Sequence, residues 1–257
     1  MEESQLMEPL QLAGRIIMEN GGETFRAEDT VLYIGRALGL DQVGCFAVPS
    51  GLFISFRKQD GTTESTVTRI HRGGSNMLRV NEVNAISREL SAGTLTAQQA
   101  TERLHRAETL TDPLCIRHQI PAAAVCGGGF AVMFGGSWKE MLTALVVCGL
   151  VQFLSSRIEK HHVQTLVATL VGAFVAALLP ALANLYLFPL YVDATVAGVL
   201  MPLLPGLAMT NAVQDAMRGD MVSGMSHALS ALLTAGMIAC GALASGVIVT
   251  LLSGGGL

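Results

Sequence analysis

VQTLVATLVGAFVAALLPALA, residues 163–183, carries no charged side chain over 21 positions. A helix needs about 20 apolar residues to cross the hydrocarbon core of a bilayer, so this run decides the solvent for its half of the chain. Four more apolar stretches surround it, at about 119–136, 138–156, 190–209 and 227–252. The charges agree. Of the charged residues among the 257, 27 lie before Ile120 and only nine after it. A water-soluble fold cannot cover 138 residues with so little polar surface. The expectation is a membrane all-α bundle of about five transmembrane helices over 118–257, preceded by a small cytoplasmic α+β domain over 1–117. The first two stretches are short, and only Gly135-Gly136-Ser137 separates them. They read as a tight hairpin or as partly re-entrant.

Lysine and arginine give the orientation. Twelve precede the first apolar stretch, Arg157 and Lys160 follow the second, and Arg218 follows the fourth, while the other side holds only Lys139. The N-terminus is therefore expected in the cytoplasm and, with five spans, the C-terminus outside. Trp138, Tyr186 and Tyr191 fall at outer interface positions. The acidic start MEESQLMEPL has no apolar core of a secretory signal, so the first span is expected to act as its own insertion signal.

Several classes fall away. The net charge of −4 is mild and spread out, with no basic stripe for nucleic acid. Cys45, Cys115, Cys126, Cys148 and Cys240 show no metal or redox spacing and read as small packing residues. His161-His162 point about 100° apart on a helix, a poor chelate, and suit an interfacial charge. No nucleophile elbow, P-loop or zinc-protease motif occurs, so no enzyme activity, cofactor or metal is expected. Without an ATPase motif, transport would run on an ion gradient or on the substrate's own gradient.

In the N-terminal half, Leu10, Ala13, Ile16, Ile17, Val31, Ile34 and Leu38 recur at near-helical spacing over about 9–39. Asn20-Gly21-Gly22 breaks the pattern. A glycine inside a helix costs about 1 kcal/mol against alanine, so the pair implies a kink or a close backbone approach. Residues 43–48, 51–57 and 62–70 read as a three-stranded antiparallel meander. Helices follow at about 78–91 and 96–108, with Thr96 as N-cap and Gln99 in place of the usual capping-box glutamate.

Two polar runs could carry chemistry. In Gly22-Glu23-Thr24-Phe25-Arg26-Ala27-Glu28-Asp29-Thr30, a helix would put Glu23, Arg26 and Thr30 on one face and make Arg26 and Asp29 neighbours. That is either a solvated ion-paired face or a polar cytoplasmic vestibule. In the second, Pro202, Pro205 and Gly206 end an apolar helix, and each proline frees an upstream carbonyl. In lipid such breaks are met by protein or by a water-lined cavity, and transporters use them to build sites. Thr210, Asn211 and Asp215 follow with hydroxyl, amide and carboxylate groups, Asn211 and Asp215 one turn apart. An ordinary helix end with a polar loop is the other reading. Asp193 is either a functional intramembrane acid or a helix-capping residue. His227 opens the last span near the Asp215–Asp220 loop, and imidazole changes charge near neutral pH. Small residues at four-residue spacing, such as Gly172 with Ala176 and Gly241 with Ser245, suit tight helix packing, also against another subunit.

Together these runs resemble the threonine/serine exporter (ThrE) family. Gly22 through Thr30 is similar to its N-terminal signature. Pro205-Gly206, Thr210-Asn211, Asp215, Gly219-Asp220 and Ser223-Gly224 are similar to its membrane signature. The resemblance covers nearly the whole chain. His227 departs from it, since many members carry arginine there, and Met217-Arg218 is variable ground. Full-length members resemble this chain followed by a second membrane domain, so the chain looks like the YjjP-type half, whose other half is a separate YjjB-like membrane subunit. The resemblance implies a bacterial inner-membrane exporter of small carboxylates driven by the proton motive force. The substrate would be a dicarboxylate such as succinate, or threonine and serine. Pro205, Gly206, Thr210, Asn211, Asp215, Asp220, Asp193 and His227 would serve the path or its coupling, and Glu23, Thr24, Arg26, Glu28, Asp29 and Thr30 its cytoplasmic mouth. A membrane-anchored hydrolase using residues 1–117 and a regulatory subunit with no path of its own are the rival readings.

Overall fold

A computed structural model describes residues 6–71, 74–111, 116–160 and 164–253. The chain forms two compact units, one of residues up to Asp112 together with Leu207–Ala228, the other of Pro113–Gly206 together with Leu229 onward. His161-His162 and Cys115 lie outside the described residues.

The first unit opens with α1 (Met7–Glu19) and α2 (Thr24–Ala37). Between them Gly21 takes φ +84°, a left-handed turn that glycine adopts without steric cost. The Gly22 amide then donates back to the Ile17 carbonyl at 2.9 Å, so the glycine pair both turns the chain and lets it pass close to α1. Strands β1 (Asp41–Val48), β2 (Gly51–Arg57) and β3 (Thr63–Arg69) form an antiparallel meander in the order β1-β2-β3. Helices α3 (Met77–Ser91) and α4 (Ala97–Thr109) follow. Asn76 caps α3, and Thr96 with Gln99 completes a reciprocal capping box on α4.

Alternation along β2 sends Leu52, Ile54 and Phe56 inward. They join Leu10, Ala13 and Ile17 of α1, Ala27, Val31 and Ile34 of α2, Ile86 of α3 and Leu104 of α4 in one core. The helical members recur three and four residues apart, the spacing of a single buried stripe. Large side chains fill this unit, as they do in water.

The second unit inverts that rule. It contains α5 (Ile116–Met133), α6 (Trp138–Lys160), α7 (Thr165–Tyr186), α8 (Val192–Leu200) and the later part of α10 (Met221–Leu252), which begins in the first unit. Its buried positions are mostly small, including Ala131, Ala144, Cys148 and Ala176. Leu150, Phe153, Leu232 and Leu243 face outward. Helices associate this way in lipid, where backbones approach across small residues and apolar side chains meet acyl chains. At the α5–α8 crossing, a Cβ on Gly198 would lie 2.6 Å from both the Ala131 nitrogen and the Gly127 carbonyl oxygen.

Among the described residues, three helices are long and apolar enough to cross a membrane: Trp138–Ile158, Thr165–Tyr186 and Met221–Leu252. The broken pair Val192–Leu203 and Gly206–Met217 makes a fourth if it counts as one span. The apolar stretch at 119–136 forms α5, which does not reach that standard: Arg117, His118 and Gln119 occupy its first turn and Pro121 its second. It forms a hairpin with α6, with Gly128 close to the Met141 carbonyl and Gly149 close to Ala124.

Candidate functional site

The site is built on a second helical hairpin, this one in the first unit. After a 3-10 turn at Met201–Leu203, Pro205 precedes α9 (Gly206–Met217). The helix ends in a Schellman motif: Gly219 takes φ +89° and the Asp220 amide donates to the Asp215 carbonyl at 3.0 Å. Asp220 then starts α10, its carboxylate accepting from the Ser223 amide at 3.1 Å. Gly224 lets the two helices close, since a Cβ there would lie 3.1 Å from the Ala212 carbonyl oxygen and the Ala216 nitrogen. The Gly219-Asp220 and Ser223-Gly224 pairs are therefore the stop, start and crossing signals of one hairpin.

Its polar side meets α2. Asp215 is 1% exposed, as are Thr24 and His227. The Thr24 hydroxyl donates to Asp215 Oδ1 at 2.8 Å, and His227 Nδ1 lies 2.9 Å from Asp215 Oδ2. Helical spacing extends the contact by one turn on each side. Glu28 follows Thr24 at i+4 on α2, and Ser223 precedes His227 by the same interval on α10. Both hold the Ala47 peptide of β1: its amide donates to Glu28 Oε1 at 2.7 Å, and its carbonyl accepts from the Ser223 hydroxyl at 3.4 Å.

A carboxylate this deeply buried is costly unless it is bonded. Here each oxygen has a partner. The carboxylate–imidazole contact can also hold an added proton without breaking, because either group can donate to the other once the proton shifts.

Charge gathers around the pair. Burial pushes the Glu28 carboxyl up. The Ala47 amide opposes this, the charges of Asp220, Asp29 and Asp215 add to it, and the net result is above the ordinary value. Burial also pushes Glu23 up, but the Arg26 hydrogen bonds and charge, with help from Arg218, hold it below its ordinary value. Arg26 reaches Glu23 at 2.6 and 3.3 Å, so its ion-pair partner is Glu23 and not Asp29, which is exposed. The Arg218 guanidinium carbon lies 3.4 Å from the centroid of the Phe25 ring.

The Glu28 shift has a testable consequence. The folded state binds this proton more tightly than the unfolded chain does. The group therefore favours folding below its ordinary value of 4.5, and that contribution is lost as pH rises through the higher folded value. Glu28→Gln keeps an acceptor for the Ala47 amide and removes the charge. Thermal unfolding should show the variant more resistant than the wild type at about pH 8, with the gap closing toward about pH 4. A gap that ignores pH would contradict the assignment.

The remaining expected residues are distributed differently. Asn211 is buried one turn before Asp215, whereas Thr210 and Gly206 are exposed and Pro205 is half-buried at the helix break. Thr30 is buried. Asp193 is exposed in the first turn of α8, in the second unit. There it borders a groove of about 560 Å³ that Ser245 and Thr250 also line. Among the described residues no group of three His, Cys, Asp or Glu side chains is arranged to hold a metal ion.

One buried acid escaped the sequence reading. Glu140, 5% exposed, accepts from the amide and hydroxyl of Ser137 at the start of α6 and from the Tyr191 amide before α8 at 2.9 Å. Ser137-x-x-Glu140 just before an apolar run is a capping-box signature, and that signal could have found it.

Long apolar helices that meet through small residues define a multi-pass membrane protein. Comparison with known proteins makes this specific. Residues 10–249 match ThrE, the family described as "Putative threonine/serine exporter", and the chain belongs to that family. It is 27% identical over 171 residues to the "Threonine/serine exporter" of Corynebacterium glutamicum, covering 65% of this chain and 35% of that protein. To the "Probable succinate transporter subunit YjjP" of Escherichia coli it is 23% identical over 227 residues, 86% of each chain. To the "Probable threonine/serine exporter" of Mycobacterium tuberculosis it is 22% identical over 225 residues, 87% of this chain and 42% of that one. The chain thus spans less than half the length of the two exporters and most of the length of the YjjP protein. No solved structure matches it.

Proposed function

We propose that this chain is one subunit of a two-component bacterial inner-membrane exporter of small carboxylate metabolites, driven by the proton motive force. The observation that carries the reading is the bonded Thr24–Asp215–His227 cluster, a buried acid and imidazole in contact in a member of an exporter family. In each turnover Asp215 and His227 take up a proton from one side and release it to the other, while Thr24 holds the carboxylate in register. Asn211 and Thr210 line the path beside the Pro205-Gly206 break, and the Glu23–Thr30 segment forms its mouth. The substrate is succinate or a similar dicarboxylate, or threonine and serine, the two classes named for its relatives. The distribution of lysine and arginine favours a cytoplasmic N-terminus. A separate YjjB-like membrane subunit completes the path. The name of the YjjP relative, a transporter subunit, supports this, as does the greater length of the two exporters.

Substrate counterflow in proteoliposomes tests the proposal. This chain alone, a YjjB-like partner alone and both together are compared with labelled succinate and labelled threonine. The expected result is exchange only with both. Equal exchange by the partner alone would reduce this chain to a regulator.

A further inference from the structure

An exporter of carboxylates built on this site meets an electrostatic difficulty. Asp215, Asp220, Asp29 and Glu28 lie close enough for the other three to raise the proton affinity of Glu28. An anion approaching them is repelled unless a cation receives it. His227 is engaged with Asp215, and Arg26 is held by both oxygens of Glu23. Arg218 is differently placed. It follows Asp215 by three residues, and while Asp215 bonds Thr24, Arg218 lies over the next residue, Phe25. Its side chain is exposed, its charge helps to hold Glu23 low, and among the described residues no hydrogen bond or ion pair occupies its guanidinium N–H groups. A guanidinium seated on an aromatic face keeps its in-plane donors available, and their fork matches a carboxylate.

We propose that Arg218, seated on the Phe25 ring, receives the carboxylate of the transported metabolite at the edge of the Asp215–His227 site. The inference rests on the exporter reading. It adds a specificity-determining residue: the ring fixes the cation, the cation offsets the surrounding acids, and the bidentate pair orients the substrate toward Asp215.

The test is counterflow by this chain with its partner subunit, using labelled succinate and threonine, with the corresponding amides as competitors. Charge-assisted hydrogen bonds of this kind set the scale, so Arg218→Gln should raise half-saturation for the carboxylate roughly ten- to hundredfold. The maximal rate should change far less, and the preference for acid over amide should collapse. Arg218→Lys should retain only part of the affinity, because lysine keeps the charge and loses the fork. Phe25→Leu, which keeps the cation and removes its seat, should weaken affinity to a smaller extent and serves as the second variant if Arg218→Gln does not reach the membrane. Unchanged half-saturation and unchanged acid-over-amide preference in Arg218→Gln, or in Phe25→Leu where that variant stands in, would overturn the inference and leave the exporter reading intact. A wild type that moves neither carboxylate would overturn both.

Discussion

Asp215→Asn should lower proton-driven export by on the order of a hundredfold or more, the usual scale for removing a positioned proton-transfer group. The variant should still insert and fold. Asparagine is close to isosteric, its carbonyl can accept from Thr24, and its amide can meet an imidazole nitrogen that accepts. What it cannot do is carry a proton. Exchange of labelled for unlabelled substrate needs no net proton movement and should survive better than accumulation against a gradient. Asp215→Ala should be worse on a second count. It leaves the Thr24 hydroxyl, 1% exposed, without its acceptor and takes the carboxylate away from the buried His227 ring. An unpaired buried hydroxyl costs about 1–3 kcal/mol. Comparing membrane-inserted protein with transport rate separates the two effects. Wild-type accumulation by Asp215→Asn would remove this carboxylate from the mechanism.

The second large effect is expected at a helix crossing within the second unit. Gly198→Ala places a methyl 2.6 Å from the Ala131 nitrogen and the Gly127 carbonyl oxygen and 2.9 Å from the Ala131 Cα. These are backbone atoms of α5, so no rotamer change relieves the clash. Overpacking of this kind costs about 1–3 kcal/mol, and the upper end is expected where backbone must move. Gly198→Leu should fail to yield folded protein. Gly129 and Gly246 lie inside helices with nothing within 4 Å of an added Cβ, so alanine at either should leave stability unchanged or raise it by up to about 1 kcal/mol. Melting midpoints in detergent decide the matter, and a Gly198→Ala protein melting with the wild type would refute the close crossing.

Much of this fold was legible in the sequence because its signals are local. The Asn20-Gly21-Gly22 break, the meander expected over 43–70 and the Thr96 cap each rest on neighbouring residues, and the structure contains all of them, the meander over 41–69. The span count was harder to read. Hydropathy marks apolar content, and α5 mixes that content with Arg117, His118 and Pro121, so among the described residues five apolar stretches become three helices that qualify, or four with the broken pair. The site was legible in its parts and not in its assembly. Thr24 and Asp215 are 191 residues apart and appeared as a cytoplasmic face and a membrane path. No periodicity links them, and only the tertiary packing of α9 and α10 on α2 joins the two runs. The run that resembles the family's membrane signature also includes structural punctuation: Gly219 stops a helix, Asp220 starts one and Gly224 lets the two cross.

The most direct test of the central proposal is proton movement during substrate flux, followed with a pH-sensitive dye inside proteoliposomes that contain this chain and its partner subunit. The prediction is that adding succinate or threonine to the wild type changes the internal pH in step with substrate movement, and that Asp215→Asn abolishes the pH change. Substrate flux at full rate with no pH change in the wild type, or an undiminished pH change in Asp215→Asn, would contradict the account.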